Sequence, residues 1–409
     1  MDDTRSALAA LAGAAERPAP LRRGSARVAL AIGILFMGST LVTPLYRLYR
    51  LEFGFSALTL TLIYAVYVLG NLASLLLLGR ISDELGRRRV LLPALGFAAA
   101  GTLLFLAALS TGWLFAARLA SGAAIGLGIG TATAWLTELE GEDRGGRAAL
   151  IATSANFAGL AAGPLLAGML VEYAPWPLRL SYLAYLLLLA LSAAALWRVP
   201  ETVARPVQSW RALSLAPRLG IPSALRRRFL APALTAVAAF AYLGFYAALV
   251  PSVLADSLSE TSAAVGGLVV AELFLVAALA NLALRRVKSR PAMRAGLGLL
   301  PPGLLCLVLA QTIPSLLILL LGTGLSGVAA ALAYRGSLAE VNEMAPGDRR
   351  AELVSSYYLC CFFGNSVPVI GAGTLATVTG SLESASMVFA GVIALLALGA
   401  LAMSWQKRP

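Results

Sequence analysis

What most constrains this chain is a series of long apolar runs, each near the length a helix needs to cross a lipid bilayer. Bounded by charges, glycines or prolines, they fall at 26–46, 57–79, 90–110, 113–135, 149–171, 177–197, 230–252, 263–284, 295–313, 315–334, 353–377 and 384–404. Bilayer hydrocarbon is ~30 Å thick and a helix rises ~1.5 Å per residue, so about twenty apolar residues make one crossing. Hydrophobic residues fill 59% of the 409 positions and charged ones only 13%, with a mean hydropathy of +0.82. A soluble chain of that balance could not clothe its surface in polar groups, whereas helices in lipid need no such cover. The runs therefore predict an all-α integral membrane protein with about twelve transmembrane helices.

Charge fixes the expected orientation. With the N-terminus placed in the cytoplasm, 28 of the 32 Lys and Arg residues fall on the cytoplasmic side. Arg47, Arg50 and Arg179 fall outside, and Arg118 lies within the fourth run. Positive residues mark cytoplasmic loops, so both termini are expected in the cytoplasm of a multi-pass protein of the inner membrane. The formal net charge is +12, but the basic residues are interspersed among the runs, which fits topology and not a nucleic-acid partner. Only Lys288 and Lys407 are lysines, a bias that reads as a GC-rich bacterial coding background.

The chain has no histidine, which excludes histidine-ligated metals, histidine-based catalytic triads and histidine proton relays. No metal site and no cofactor is predicted. Cys306, Cys360 and Cys361 all sit in apolar runs, so a disulfide framework is not expected. Residues 1–25 read as a cytoplasmic tail and not a cleaved leader, because the run that follows is long enough to span.

The longest polar stretch, 199–229, carries Arg205, Arg211, Arg218 and Arg226 to Arg228. It separates two six-helix bundles expected at 26–198 and 230–404, with 405–409 as a cytoplasmic end. The halves echo each other. Leu136-Thr137-Glu138-Leu139, Asp143-Arg144 and Arg147-Ala148 precede a run with Gly163-Pro164. Leu338-Ala339-Glu340-Val341, Asp348-Arg349 and Arg350-Ala351 precede a run with Val367-Pro368. Such an internal repeat of six spans is how several transporter folds are built.

Five features carry candidate chemistry. The loop after the second run reads Gly79-Arg80-Ile81-Ser82-Asp83-Glu84-Leu85-Gly86-Arg87-Arg88-Arg89. Gly86 permits a tight turn, and Asp83 can accept backbone N–H groups at a helix start or pair with arginine. The fourth run sets Arg118 at the head of a ridge of Gly122, Gly126 and Gly130, where a neighbouring helix can approach closely. An arginine inside a span faces an acid, a cavity or water, or else snorkels to the surface. The fifth run carries Gly159, Gly163, Pro164 and Gly168, a pattern suited to close packing and a bend. Glu272 is the one acid near the middle of a run; it could cycle through protonation or be a structural glutamate held by a neighbour. Tyr64, Tyr67, Asn71, Tyr242, Tyr246, Tyr358 and Asn365 lie at helical spacing and are candidate cavity walls, although each tyrosine could equally be packing.

The 79–89 loop resembles the Gly-x-x-x-Asp-x-x-Gly-Arg-Arg/Lys loop of the major facilitator superfamily. Arg118 with its glycine ridge is similar to the family's fourth-span motif. Gly159 to Gly168 resembles the motif of its proton-driven drug exporters, and Val199-Pro200-Glu201-Thr202 looks like its Pro-Glu-Thr ending. The resemblance implies the major facilitator fold, with Asp83, Arg87 and Arg88 as a cytoplasmic gate and Glu138 as a third member of the lock. The second-half loop, Arg285-Arg286-Val287-Lys288-Ser289-Arg290, has lost the Asp and Gly, so its lock must be weaker or different. It also implies proton-coupled efflux of a small amphipathic organic compound, a drug or metabolite, by a monomer working through alternating access. Glu272 and Arg118 are then the proton-coupling candidates. Many exporters of the family carry an acid in the first span, and this chain does not. The alternatives are import or uniport of a metabolite on the same fold and, from another class, a membrane enzyme or sensor.

Overall fold

A computed structural model of the chain describes residues 19–78, 81–141, 145–203, 219–346 and 349–405. Among these, every regular element is helical. The N-terminal half holds α1 (Ala19–Leu41), α2 (Tyr46–Phe53), α3 (Ala57–Leu78), α4 (Ile81–Leu85), α5 (Arg87–Leu106), α6 (Thr111–Glu140), α7 (Gly145–Tyr173) and α8 (Leu180–Leu196). The C-terminal half holds α9 (Arg226–Ser257), α10 (Ala263–Ala283), α11 (Ser289–Thr312), α12 (Leu316–Met344), α13 (Arg350–Thr379) and α14 (Leu382–Trp405). Among the described residues, eleven helices are long and apolar enough to cross a membrane, counting α1 and α2 as one. The apolar run expected at 177–197 forms α8, whose 17 residues cover only ~26 Å.

Two expectations shift for physical reasons. The run expected at 26–46 is not one helix. It stops at Leu41, turns through 42–45 and resumes as α2. Pro44 has no N–H to offer the preceding turn, and this ends α1. Conversely, α6 and α12 run to Glu140 and Met344, well past the apolar limits at 135 and 334. Glutamate, arginine and leucine propagate a helix in water as readily as in lipid, so loss of hydropathy ends a run without ending the helix.

Within the N-terminal half α6 packs on α3 and α5, and α1 packs on α7. In the C-terminal half α12 packs on α11, α9 on α13, and α14 on α9 and α11. The halves meet along two seams, α7 with α10 and α3 with α13. Leucines exposed on the outer faces, such as Leu187, Leu191, Leu275, Leu279, Leu317 and Leu321, are what lipid-facing helices present.

Close seams need small residues. The ridge on α6 meets the α3 backbone: a methyl on Gly122 would overlap the Tyr67 carbonyl, and one on Gly126 would lie 2.9 Å from Ser74 Cβ. Gly130 faces open space. Gly122→Val should therefore cost about 1–3 kcal/mol through overpacking and lower the melting temperature of the detergent-solubilised protein by roughly 5 °C. Gly130→Ala should leave it unchanged, and equal effects would contradict this packing.

Candidate functional site

The break in α1 is where the helices brace one another. Thr43 N turns back to Thr40 O (3.0 Å), which frees the Ser39 carbonyl from its helical partner. Arg118 Nη1 of α6 donates to that carbonyl at 2.8 Å, and Nη2 donates to Tyr64 O at 3.3 Å. A cation is favoured at the C-terminal end of a helix dipole. The guanidinium also lies 4.6 Å from the Tyr67 ring centroid and 5.3 Å from that of Tyr64. Arg118 is completely buried, so it does not snorkel to the surface. Its partners are carbonyls and rings, and among the described residues no carboxylate pairs with it.

The threonines of the same segment do parallel work. Pro164 has no N–H, so Leu160 O, four residues earlier in α7, lacks its helical donor. Thr40 Oγ1 donates to that oxygen at 2.9 Å. Pro251 leaves Ala247 O of α9 in the same condition, and Thr43 Oγ1 donates to it at 2.9 Å. Residues 39–43 thus satisfy one proline-freed carbonyl in each half while their own freed carbonyl is held by Arg118. Gly159 packs on Gly33 of α1, and Gly163 faces Thr40 Oγ1. On the other side of α7, Pro164 and Gly168 meet Gly267 and Ala263 of α10. Pro44, Pro164 and Pro251 are legible in the sequence, but the pairing of each carbonyl with its donor is not.

The 79–89 loop builds a charge cluster, though Gly79 lies outside the described residues. Gly86 takes φ 100° between α4 and α5, and a Cβ there would lie 2.9 Å from Glu201 Oε2. Glu201 caps α5: Oε1 accepts from Arg87 N (2.9 Å) and Oε2 from Arg88 N (3.0 Å). A carboxylate is favoured at the positive end of the helix dipole. The Arg87 side chain is buried, donating to Asp83 Oδ1 and Glu138 Oε1 at 2.5 Å each and to Ser82 Oγ at 2.7 Å. Thr202 Oγ1 donates to Glu138. Arg88 Nη2 donates to Val199 O at 3.0 Å, and Trp135 Nε1 to Pro200 O at 3.1 Å. The structure thus brings Asp83, Arg87 and Glu138 together and adds Glu201 and Thr202. Every one of these partners lies in the N-terminal half or directly after it at 199–202, and none comes from the C-terminal half.

The second half keeps half of this device. Arg290 Nε donates to Glu340 Oε1 at 2.9 Å. Arg290 stands 203 residues after Arg87, and Glu340 stands 202 after Glu138. The arginine–glutamate pair survives there where Asp and Gly are lost. The repeat offset could have found it.

The expected cavity residues divide into two groups. Tyr64 OH donates to Asn365 Oδ1 at 3.1 Å across the α3–α13 seam. Tyr67 and Tyr358 are half-buried. Tyr242 and Tyr246, by contrast, are fully buried and stacked at 4.7 Å inside the C-terminal half, with Tyr246 OH 2.9 Å from Thr323 Oγ1. Asn71 is sealed against Gly126. These three are packing in this conformation and not walls; their helical spacing is that of a face turned into the bundle. The aromatic residues that meet across the halves are Phe157 of α7, Phe240 of α9 and Tyr334 of α12. Tyr334 lies 6.4 Å from Phe157 and 5.4 Å from Phe240, both edge-on. No local sequence signal joins three rings from three helices.

Hydrogen bonds between the halves gather on the side away from the arginine-rich loops. Arg47 Nη1 donates to Thr261 O (2.8 Å), Ala263 N to Glu172 (2.8 Å), and Leu58 N to Thr377 Oγ1 (2.9 Å). On the α3–α13 seam, no such bond among the described residues lies nearer the loops than Tyr64–Asn365. The α7–α10 seam continues further, to Asn281 Nδ2 donating to Ser154 Oγ at 3.2 Å.

Glu272 is half-buried at the middle of α10, and its Oε2 is a buried atom with no hydrogen-bond partner. Its other oxygen leans toward Gly324 of α12. No hydrogen bond or ion pair joins it to Arg118, and the structure leaves the two in different halves.

Two helical halves joined along two seams, with the broken α1 braced to helices of both, make this a polytopic membrane protein. The chain belongs to the Major Facilitator Superfamily, whose family model matches residues 28–318. It is 30% identical over 158 residues to the chloramphenicol resistance protein CraA of Acinetobacter baumannii, a match covering 38% of each chain. In fold it is similar to a bacterial homologue of the human lysosomal transporter Spinster (TM-score 0.70, 14% identity, 96% of this chain and 100% of that one). It is likewise similar to the human organic anion transporter MFSD10, or TETRAN (TM-score 0.67, 19% identity, 95% and 100%).

The threonine braces make a direct prediction. Thr43→Val should cost about 1 kcal/mol of stability by leaving Ala247 O without a donor. In a Pro251→Ala background, where residue 251 regains an N–H for that oxygen, the same change should cost little. A thermal double-mutant cycle measures this, and additive effects would refute the pairing.

Proposed function

We propose that this protein exports a small amphipathic organic compound across the bacterial inner membrane by alternating access, with protons moving inward. In this reading the six-helix bundles at 26–198 and 230–404 rock about the seams, and the 199–229 linker and both termini are cytoplasmic. The asymmetry of the cross-half hydrogen bonds carries the reading. They close the side opposite the arginine-rich loops and leave the loop side of α3 and α13 unbridged, which is the arrangement of a transporter open toward the cytoplasm. The Phe157–Phe240–Tyr334 cluster, drawn from both halves with Tyr358 beside Tyr334, suits an apolar molecule with a few polar groups.

Export is supported by the Gly159–Gly168 pattern at the α7 seams and by the partial match to a resistance protein. Asp83 would be free to engage the other half when the loop side closes, since its side chain is 58% exposed here. Proton coupling falls to Glu272, the carboxylate at mid-span. It lies beside α12 at Gly324, next in sequence to the Tyr246–Thr323 hydroxyl pair, so its charge can be felt inside the C-terminal half. Arg118 holds the α1 break and acts on coupling only through that helix.

Chloramphenicol is the first probe, on the strength of the matched relative. In proteoliposomes, adding it should move protons across the membrane, and Tyr334→Ala should lower transport at least about tenfold through lost ring contacts. Glu272→Gln should retain binding but lose both proton movement and the pH dependence of transport. Undiminished, pH-dependent transport by the Gln variant would overturn the coupling. Transport without any proton flux in the unmodified protein would favour a uniporter.

A further inference from the structure

Three arginines lie on the side away from the basic loops, against the charge rule that orders the rest of the chain: Arg47, Arg50 and Arg179. Arg47 is accounted for, since it donates to Thr261 O. Arg50 is half-buried, and its side chain has no hydrogen bond or ion pair among the described residues. What it lines instead is a cavity of about 60 Å³ whose wall both halves share. Arg50 of α2 and Ala57 of α3 come from the N-terminal half. Leu249, Ser252 and Asp256 of α9 and Ala376 of α13 come from the C-terminal half. The three α9 residues are three and four apart, so a single face of that helix turns toward the cavity. Ala57 and Ala376 neighbour Leu58 and Thr377 in sequence, so the cavity sits between two bonds that close this side, Arg47–Thr261 and Leu58–Thr377.

Arg50 and Asp256 are the two ionisable residues on the wall, and they bear opposite charge. No ion pair joins them, and Asp256, like Arg50, has no partner among the described residues. Ser252 is only 8% exposed, and its hydroxyl makes no hydrogen bond there either. The neighbouring acids are engaged or turned away. Glu260 accepts from Ser262 N and Glu172 from Ala263 N. Glu52 lies ~160° around α2 from Arg50. Glu383, in the first turn of α14, is not part of the wall.

A single water takes up ~10–15 Å³ of such space, so the cavity has room for about five waters or one small organic molecule. A guanidinium half out of water is best matched by a carboxylate, which it grips through two N–H groups, and a carboxylate by an ammonium. A simple ion would match one of the two charges and leave the other. A ligand that matches both must itself carry both. We propose that this cavity binds a small zwitterionic amino acid from the outer aqueous side. Its carboxylate lies on Arg50, its ammonium on Asp256, and the Ser252 hydroxyl stands beside it. Asp256 is exposed, so the entrance is open to water. The bound molecule bridges α2 to α9, the helix that Thr43 already ties to the break in α1. It therefore holds the outer side closed and acts as a brake. The brake rests on the alternating-access reading above; the binding does not.

The test is isothermal titration of the full-length protein in lipid nanodiscs. The probes are glycine, β-alanine and γ-aminobutyrate, in which the two charges move progressively apart, with acetate and methylammonium as single-charge controls. The best of the three should bind at least about tenfold tighter than either control. Arg50→Gln and Asp256→Asn should each remove that advantage. The exchanged pair, Arg50→Asp with Asp256→Arg, should restore it, because the ligand can enter reversed, whereas damage to the fold would not be repaired. Amino acids that bind no tighter than the controls, or equally well to both single variants, overturn the site. In proteoliposomes the best binder should slow chloramphenicol transport by the unmodified protein and not by Arg50→Gln. Transport that is unslowed at saturation overturns the brake. Binding in a protein that transports nothing would sink the transport reading and leave the site standing.

Discussion

In hydrocarbon a backbone carbonyl without a donor costs several kcal/mol, because no water stands in for the missing bond. This fold depends on how residues 39–43 meet that constraint. Pro44 breaks the first helix, and Pro164 and Pro251 each open a carbonyl in the helices on either side. Arg118, Thr40 and Thr43 close the three deficits at 2.8 to 2.9 Å. Two of these bonds lie wholly within the N-terminal half and one crosses to α9, so the same five residues tie α6, α7 and α9 to the break in α1. A broken helix in lipid survives only where it is repaired by neighbours, and such a place can bend without losing its hydrogen bonds.

The charge cluster at the loops works by a different rule. There water is near, and individual ion pairs contribute little. What the cluster supplies is geometry: Glu201 caps α5, Arg87 ties α5 to α6, and Gly86 makes the turn. Because none of these partners comes from the C-terminal half, the cluster makes the N-terminal half rigid in this conformation and leaves the loop side unbridged by it.

The apolar runs foretold nearly every long helix, since lipid imposes a length and a composition that soluble folds do not. They failed where backbone chemistry overrides hydropathy: at Pro44, at the overlong ends of α6 and α12, and at α8. Asp83, Arg87 and Glu138 were legible as a group because loop motifs are local or repeat at a fixed offset. Tyr242, Tyr246 and Asn71 were not, because helical spacing names a face without saying which way it turns. Glu272 shows the same blindness most sharply. Its depth was readable from one run, but that its carboxylate leans on Gly324 of α12 with a buried, unpartnered Oε2 was not.

Alternating access requires that the two halves rock about these seams. Spin-label distances test it most directly, on a variant with Cys306, Cys360 and Cys361 replaced. One pair, Leu77 of α3 and Leu359 of α13, reports the loop side; the other, Leu51 of α2 and Val378 of α13, reports the opposite side, and all four positions are exposed. Between alkaline and acidic pH, with and without chloramphenicol, the two distances should change in opposite directions, one shortening as the other lengthens. Distances that stay fixed, or that lengthen and shorten together, would contradict alternating access in this protein.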